Sequence, residues 1–258
     1  MSYRKPSIVL LPGLGMQACG WPTALIAHFQ DAGYSIMTPS YPKAACSIDA
    51  FSAGVWSQVP PKIRVTLLGY SMGGFVAQSM ATIHPDRVEN IVLVATRCSG
   101  AAGEDPSDAI ASGFLDRATT EREESKTSRL QPTALFPPDY RKTHGKDMAK
   151  ALRRCGTMPQ DIYEKQLQAV VKWRFKTSAC DSWKSIASNV LIVQGSEDYV
   201  VPPSNSLALA KIAAVSCGNT HRVSRIVFPR VGHGVVMQEP EKLASCITHW
   251  LLHTAKVK

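Results

Sequence analysis

Residues 64–74 read Arg-Val-Thr-Leu-Leu-Gly-Tyr-Ser-Met-Gly-Gly, so an apolar, strand-like run leads into a Gly-x-Ser-x-Gly pentapeptide. A helical pattern follows at once and ends at Pro85. The pentapeptide alone is a weak signal, but a serine at a strand-to-helix turn has a strained backbone and an exposed hydroxyl. Small residues at Gly69 and Gly73 let the strand and the helix approach closely. We therefore predict that Ser71 is a nucleophile.

The same alternation of apolar strands and amphipathic helices continues on both sides of this stretch. Near the C-terminus, for example, Leu243, Ile247 and Leu251 recur at helical spacing. Strand-like runs lie at residues 7–11, 35–38, 64–68, 90–95, 189–194 and 224–228. Fully apolar strands between amphipathic helices predict an α/β fold, with a doubly wound, mostly parallel sheet covered on both faces.

The middle of the chain departs from this alternation. Residues 98–183 contain helical patterns and no convincing strand. The helical patterns lie at residues 121–130, 145–155 and 159–175. We predict a helical cap, or lid, inserted into a core formed by residues 1–97 and 184–258. Because such an insertion has no place in the sheet, we expect it to lie over Ser71.

Two further residues suit a serine nucleophile. A serine hydroxyl reacts poorly unless a base accepts its proton, and the base needs an acid that fixes its tautomer. His233 follows the strand at 224–228 and is the candidate base. Asp198 follows the strand at 189–194 and is the candidate acid, with Glu197 as a minor competitor. We predict that Ser71, Asp198 and His233 form a catalytic triad.

Acyl transfer through a serine also needs N–H donors for the negatively charged oxygen of the intermediate. The Met72 N–H opens the helix after Ser71, and the Leu14 N–H lies in Pro-Gly-Leu-Gly after the first strand. We predict that Leu14 and Met72 form the oxyanion hole. We also expect Gly13, Gly15 and Tyr70 to contact the substrate.

Composition restricts the class of protein. The 258 residues are 45% hydrophobic and 19% charged, as in an ordinary globular protein. No apolar run approaches the roughly 18 residues that span a bilayer, and the run at 7–11 is too short for a signal-peptide core. The seven cysteines are scattered, so most are expected to be buried apolar side chains. We expect a cytoplasmic protein that binds no membrane.

The sequence also argues against metals and cofactors. It contains no Cys-x-x-Cys pair, and His249 and His253 have no evident third ligand. Gly13-x-Gly15 lacks the third glycine of a dinucleotide-binding loop. A net charge of +9 favours anionic partners, but by itself it is no nucleic-acid signature. We predict no metal, no cofactor and no nucleic-acid partner.

With these motifs, the chain resembles the α/β-hydrolase superfamily, which shares the order Ser, Asp, His. Leu-Leu-Pro-Gly-Leu-Gly-Met at 10–16, Gly-Tyr-Ser-Met-Gly-Gly at 69–74 and His-Pro-Asp-Arg-Val at 84–88 are similar to pimeloyl-acyl-carrier-protein methyl ester esterases and 3-oxoadipate enol-lactonases. The resemblance implies a cap that shapes the acyl pocket. Two departures stand out, namely Pro12 where the family usually has His, and Thr-Pro-Ser-Tyr-Pro at 38–42 in place of an Asp…Gly-x-Gly-x-Ser stretch.

These patterns predict a serine hydrolase that acts on a small-molecule carboxylic ester, thioester or lactone of small to medium acyl size. The resemblance extends this to a methyl ester linked to an acyl carrier. The alternative is a ligand-binding or receptor-type member of the same fold, with an intact triad and little turnover. Fold alone cannot choose between the two.

A basic stretch suggests how a carrier would bind. Residues 141–154 contain six basic residues against one acidic residue, a net charge of +5. Four of the basic residues share one predicted helical face, namely Lys146, Lys150, Arg153 and Arg154. A solvated basic face is the simpler interpretation. The other is a docking patch for an acidic acyl carrier beside the active-site mouth.

Overall fold

The fold is built on one parallel six-stranded sheet. The computed structural model describes residues 7–100, 103–107, 132–153, 155, 158–176, 181–216 and 222–254. The strands are β1 (Ser7–Leu11), β2 (Ile36–Met37), β3 (Val65–Tyr70), β4 (Val88–Val94), β5 (Asn189–Gly195) and β6 (Val223–Phe228). Their order across the sheet is β2-β1-β3-β4-β5-β6, and each adjacent pair is parallel. The predicted α/β fold is confirmed.

Helices cover both faces of this sheet. They are α1 (Thr23–Asp31), α2 (Ile48–Trp56), α3 (Met72–Ile83), α4 (Pro132–Leu135), α5 (Pro138–Arg153), α6 (Gln160–Arg174), α7 (Ser204–Ser216), α8 (Val235–Gln238) and α9 (Pro240–Thr254). Alternate residues of β1 point to opposite faces, as the two-residue period of a strand requires. Val9 and Leu11 pack in one core cluster with residues of α2, α3 and α7. Ile8 and Leu10 pack in the other cluster with residues of α1 and α9.

Helix α2 was not predicted from the sequence. Its first turn is capped by the Ser47 hydroxyl, which accepts a hydrogen bond from the Ala50 N–H at 3.2 Å. Gly54 interrupts its apolar pattern, and the reason for a glycine is a contact with another segment. A Cβ there would lie 2.2 Å from the ring of Pro42.

The described part of the predicted insertion contains helices and no strand. It contains α4, α5, α6 and a 3₁₀ turn at Asp181–Ser185. The predicted helices at 145–155 and 159–175 correspond to the second half of α5 and to α6, whereas the one at 121–130 lies outside the described residues. None of the described helices is both long and apolar enough to cross a membrane.

A disulfide joins Cys19 to Cys155. The expectation that the cysteines are mainly buried apolar side chains is therefore wrong for this pair. The bond links residues that are 136 positions apart in the sequence. It ties the end of the α5 region to the 3₁₀ turn Ala18–Gly20, a few residues after Leu14.

The register of the sheet brings the candidate residues to one edge. Leu11 pairs with Gly69, Gly69 with Leu93, and Val94 with Val193. The carboxyl ends of parallel strands meet at the same edge, where α/β proteins commonly bind their ligands. The turn after β3 carries Ser71, and the loops after β5 and β6 carry the other two candidates.

Candidate active site

Ser71 lies at a strained turn between β3 and α3. Its backbone has φ 54° and ψ −119°, a left-handed conformation that non-glycine residues rarely adopt. The turn is held by the Ser71 N–H, which donates to Val94 O at 2.9 Å, and by the Thr96 hydroxyl, which donates to Ser71 O at 2.8 Å. The strain is therefore fixed by β4 and the residues that follow it.

The glycines beside Ser71 are required by this packing. A Cβ at Gly69 would lie 2.3 Å from Gly73 O, and one at Gly73 would lie 1.9 Å from Leu11 O. Both contacts are with backbone atoms, which cannot rotate away. The close approach of strand and helix predicted from Gly69 and Gly73 is present.

The structure brings Ser71, His233 and Asp198 into one hydrogen-bonded chain. His233 Nε2 is 3.0 Å from Ser71 Oγ, and His233 Nδ1 is 2.9 Å from Asp198 Oδ2. Both His233 and Asp198 are buried, whereas Ser71 is partly exposed. With Nδ1 donating to the carboxylate, Nε2 is free to accept the serine proton.

Asp198 is held by four donors. Its Oδ1 accepts hydrogen bonds from the Val200 and Val201 N–H groups at 2.9 and 2.8 Å. Its Oδ2 accepts from Gln194 Nε2 at 2.8 Å and from His233. Burying a carboxylate is costly unless donors such as these satisfy its oxygens. The competitor Glu197 is not the residue that contacts the imidazole.

Gln194 is a site residue that the sequence analysis missed. It is fully buried at the end of β5, and its Nε2 also donates to Val201 O at 3.1 Å. A glutamine in an otherwise apolar strand was the available clue, because buried amides need partners.

Tyr70 lies behind the imidazole. Its ring centroid is 5.4 Å from that of His233 and 6.4 Å from that of Trp21. Burial and, to a smaller extent, the nearby Asp198 carboxylate raise the pKa of the Tyr70 phenol far above its ordinary value. The phenol therefore stays protonated, and its ring supports His233.

A cleft opens at Ser71 between the sheet edge and α6. It encloses about 840 Å³ between protein atoms, including space open to solvent, which suits a small to medium ligand. Its lining, within the described residues, comprises Leu14, Ser71, Met72, Phe75, Arg97, Pro106, Leu167, Val170, Val171, Arg174, Val200, Val201 and His233. Five of these residues come from the predicted insertion, so its described part lines the cleft at Ser71.

The predicted binding residues divide into two groups. Leu14 and Met72 line the cleft beside Ser71, where an oxyanion hole is expected. Among the described residues, the lining does not include Gly13, Gly15 or Tyr70. The Gly15 N–H instead donates to Gln166 Oε1 of α6 at 2.9 Å, and Gly13 packs against Ser71 and Tyr70. The expected substrate contacts of these three residues therefore have no support in the lining.

Comparison with known proteins agrees with the observed fold. The model of the alpha/beta hydrolase family matches residues 8–245. The chain belongs to the alpha/beta hydrolase family.

Individual relatives of this hydrolase match over part of its length. A pimeloyl-[acyl-carrier protein] methyl ester esterase from Klebsiella pneumoniae is 35% identical over 105 residues, which cover 38% of this chain and 39% of that protein. One from Neisseria meningitidis is 29% identical over 160 residues, covering 60% and 58%. The chain thus spans about two fifths to three fifths of the length of these relatives.

Solved structures share the fold over nearly the whole chain. The enol-lactonase from Burkholderia xenovorans superposes with a TM-score of 0.75 at 18% identity, covering 96% of this chain and 91% of that one. A thermophilic esterase from Thermogutta terrifontis gives 0.73 at 18% identity, covering 97% and 90%. At such low identity the likeness shows the fold alone.

The two departures from the family pattern meet in this hydrolase. The Tyr41 hydroxyl donates to Pro12 O at 2.9 Å, and the Tyr41 ring stacks on Phe51 of α2 at 4.9 Å. Burial raises the pKa of Tyr41 well above its usual range, so the phenol remains a donor. Pro12 directly precedes Gly13 and Leu14, so Tyr41 anchors the loop expected to supply an oxyanion donor. No pattern in either segment predicts that these two positions touch.

The sequence analysis also missed a charge cluster on the cleft wall. Asp105 forms ion pairs with Arg97 after β4 and with Arg174 at the end of α6. Burial alone would raise the pKa of Asp105, but hydrogen bonds from Arg174 and Arg97, together with their charges, lower it below its usual value. The carboxylate is thus ionised at neutral pH.

The basic stretch lies on α5, which is kinked at His144. Lys146 and Lys150 are exposed, whereas Met148 is buried with residues of α4. The side chain of Arg153, and all of Arg154, lie outside the described residues. No described residue of α5 lines the cleft, but the Cys19–Cys155 bond places the end of this region beside the loop that follows Leu14.

Proposed function

We propose that this protein is a serine hydrolase that cleaves a carboxylic ester, thioester or lactone of a small to medium acyl substrate through an acyl-enzyme on Ser71. The observation that supports it most is the unbroken chain from Ser71 Oγ through both nitrogens of His233 to Asp198. A helix-starting serine without such a base would be a poor nucleophile.

In the first half of the proposed reaction, His233 Nε2 takes the proton of Ser71 Oγ as the oxygen attacks the ester carbonyl. The carbonyl oxygen becomes negatively charged, and the Leu14 and Met72 N–H groups are the donors proposed to stabilise it. Collapse of this intermediate breaks the bond to the leaving alcohol, and the imidazolium returns its proton to that alcohol.

The second half repeats these steps with water. His233 Nε2 takes a proton from the water as it attacks the acyl-enzyme, and the bond to Ser71 Oγ breaks with return of the proton to the serine. Asp198 keeps the proton of His233 on Nδ1 and stabilises the imidazolium in both halves. Because Asp198 and His233 are buried, water does not compete for the hydrogen bond between them.

Labelling with a fluorophosphonate probe tests the nucleophile, and turnover of a short p-nitrophenyl ester tests the enzyme. We expect a single modified residue, Ser71, by peptide mass spectrometry. Ser71→Ala should abolish labelling and lower kcat by about 10³- to 10⁶-fold with an unchanged melting curve. More than a tenth of wild-type turnover in Ser71→Ala would contradict the mechanism. Labelling without turnover on any ester, thioester or lactone would favour the receptor-type alternative.

We further propose that the ester is carried by an acidic acyl carrier that docks on α5. The matched relatives named for an acyl-carrier-protein methyl ester support this substrate class. Lys146 and Lys150 are exposed and lie one helical turn apart, so they present their charges in the same direction. Charged rim residues of this kind steer association, and their effect weakens with salt.

Charge reversal tests the docking proposal. The double variant Lys146→Glu/Lys150→Glu should lower kcat/KM for a carrier-linked methyl ester by about tenfold or more at low salt, since rim charges act on association. It should leave a small neutral ester unchanged. The control is Lys62→Glu/Lys211→Glu, which makes the same charge change at two exposed lysines elsewhere. Equal effects of the two double variants would assign Lys146 and Lys150 to an ordinary solvated face.

A further inference from the structure

Two arginines share one carboxylate on the wall of the active-site cleft. Arg97 Nη1 bonds Asp105 Oδ1, and Arg174 Nη2 lies 2.6 Å from Asp105 Oδ2. Both arginines line the same cleft as Ser71, whereas the Asp105 side chain is half exposed. The cluster therefore carries a net charge of +1 in a cleft whose remaining walls are mainly apolar.

The Arg97 guanidinium has no donor to spare. Besides Asp105, its N–H groups bond the carbonyl oxygens of Cys98, Gly100, Gly103 and Glu104 at 3.0–3.1 Å. A guanidinium has five N–H donors, and these contacts account for a full set. Arg97 thus fixes the loop that presents Asp105, and it contributes its charge to the cleft but no free hydrogen bond.

Arg174 differs from Arg97 in how its N–H donors are used. Its Nη2 bonds Asp105, but its Nε is buried and has no acceptor among the residues that the structure describes. A buried donor without an acceptor is costly, and native proteins rarely leave one unexplained. The Arg174 side chain is 29% exposed and lines the cleft, so an acceptor that arrives with a ligand can approach its guanidinium. An oxyanion suits a guanidinium best, because it can accept two parallel hydrogen bonds.

We propose that Arg174 binds an anionic oxygen group on the acyl chain of the substrate, so that the enzyme prefers monoesters of dicarboxylic acids to neutral esters of equal length. The proposal rests on Ser71 being the nucleophile of an ester hydrolase. The ester carbonyl is placed at Ser71 and the methylenes against Leu167, Val170 and Val171. Arg174 then pairs with the oxygen at the far end of the chain, which is the carboxylate of a free half-ester or the carbonyl oxygen that joins the chain to its carrier. Asp105 neutralises one of the two arginine charges, and the remaining positive charge is available to the ligand.

The experiment compares two substrate series. Monomethyl succinate through monomethyl suberate is assayed beside methyl alkanoates of equal chain length, and kcat/KM is measured for each. Arg174→Gln should lower kcat/KM for the best half-ester by about 10- to 100-fold, the usual effect of losing a charged hydrogen bond. Its loss on the matching neutral ester should be at least about tenfold smaller. Arg174→Lys should recover part of the preference.

Two controls separate ligand binding from a structural role. Lys172→Gln removes the same charge from an exposed position on α6 and should change neither series. Asp105→Asn breaks the same ion pair but keeps the Arg174 cation, so the preference for half-esters should persist or increase. Parallel losses on both series in Arg174→Gln, or loss of the half-ester preference in Asp105→Asn, would overturn the proposal.

A binding measurement keeps this result distinct from failure of the proposed catalysis. Ser71→Ala should bind the dicarboxylate product more tightly than a monocarboxylate of equal length in calorimetry, and Arg174→Gln in that background should remove the difference. This holds whether or not the wild-type protein turns over. Absence of any ester turnover would refute the hydrolase, whereas equal binding of the two acids would refute the anion site.

Discussion

Replacing Asp198 by asparagine tests how the carboxylate controls His233. The change removes one charge and turns one oxygen into an NH₂ group. Oδ1 accepts two backbone N–H groups, from Val200 and Val201, and those donors cannot rotate. The new amide must therefore place its oxygen there and its NH₂ group toward Gln194 and His233.

The new NH₂ group changes which nitrogen of His233 carries the proton. An NH₂ group cannot accept from Nδ1–H, so the imidazole must carry its proton on Nε2 in order to bond the amide. Nε2–H then points at Ser71 Oγ, only 3.0 Å away, and cannot accept the serine proton. The wrong tautomer, together with loss of the charge that stabilises the imidazolium, costs about 10⁴-fold in kcat. That factor corresponds to about 5 kcal/mol of transition-state free energy.

The assay is kcat/KM on a short p-nitrophenyl ester, with the rate of fluorophosphonate labelling as a second readout. Glu197→Gln is the matched control because it removes a carboxylate charge one residue away, from a side chain that does not contact the imidazole. We expect it to retain most of the activity. If Asp198→Asn keeps more than a tenth of the activity, or if Glu197→Gln loses as much, the reasoning from tautomer to rate is wrong.

Three further outcomes follow from other contacts. Tyr41→Phe should lower kcat by about tenfold with little change in KM, because the loop at Pro12–Leu14 loses the hydrogen bond that anchors it. A fall in melting temperature without a change in kcat would contradict this. Gly73→Ala should lower the free energy of unfolding, measured with denaturant, by about 3 kcal/mol or more, because its Cβ would lie 1.9 Å from Leu11 O. The control Gly145→Ala should not lower it, because no atom lies within 4 Å of a Cβ there. Asp105→Asn should destabilise at neutral pH. Because ion pairing lowers the pKa of folded Asp105, the difference should be full above the unfolded-state pKa of about 4, shrink as pH falls below it, and disappear only below the lower folded-state pKa. A pH-independent difference in melting temperature would contradict the last expectation.

The parts of the site that the sequence predicted are those with a local signal. Ser71, Asp198 and His233 each follow an apolar strand, and parallel strands end at one edge, so their approach follows from the fold. Glycines at 69 and 73 could likewise be predicted, because a strand-to-helix turn needs small residues at these positions.

The contacts that the sequence could not predict join segments with no local relation. Tyr41 and Pro12 are 29 residues apart, and Cys19 and Cys155 are 136 apart. Nothing in the composition of either segment specifies its partner, since a tyrosine between prolines or a lone cysteine has many possible surroundings. Helix α2 was missed for a related reason. Its glycine, which weakens a helical pattern, is fixed by contact with Pro42 in another segment.

The predicted cap is coupled to the chemistry more closely than its position in the sequence implies. Gln166 of α6 accepts the Gly15 N–H beside Leu14, the disulfide holds the same loop from Cys19, and Arg174 is tied to the core through Asp105. An insertion that only shaped the acyl pocket would need neither the Gln166–Gly15 hydrogen bond nor the disulfide. Since they bear on the loop expected to supply an oxyanion donor, displacement of α6 by a bound ligand would also shift that donor. Substrate recognition by the cap and stabilisation of the intermediate are therefore expected to change together when α6 is altered.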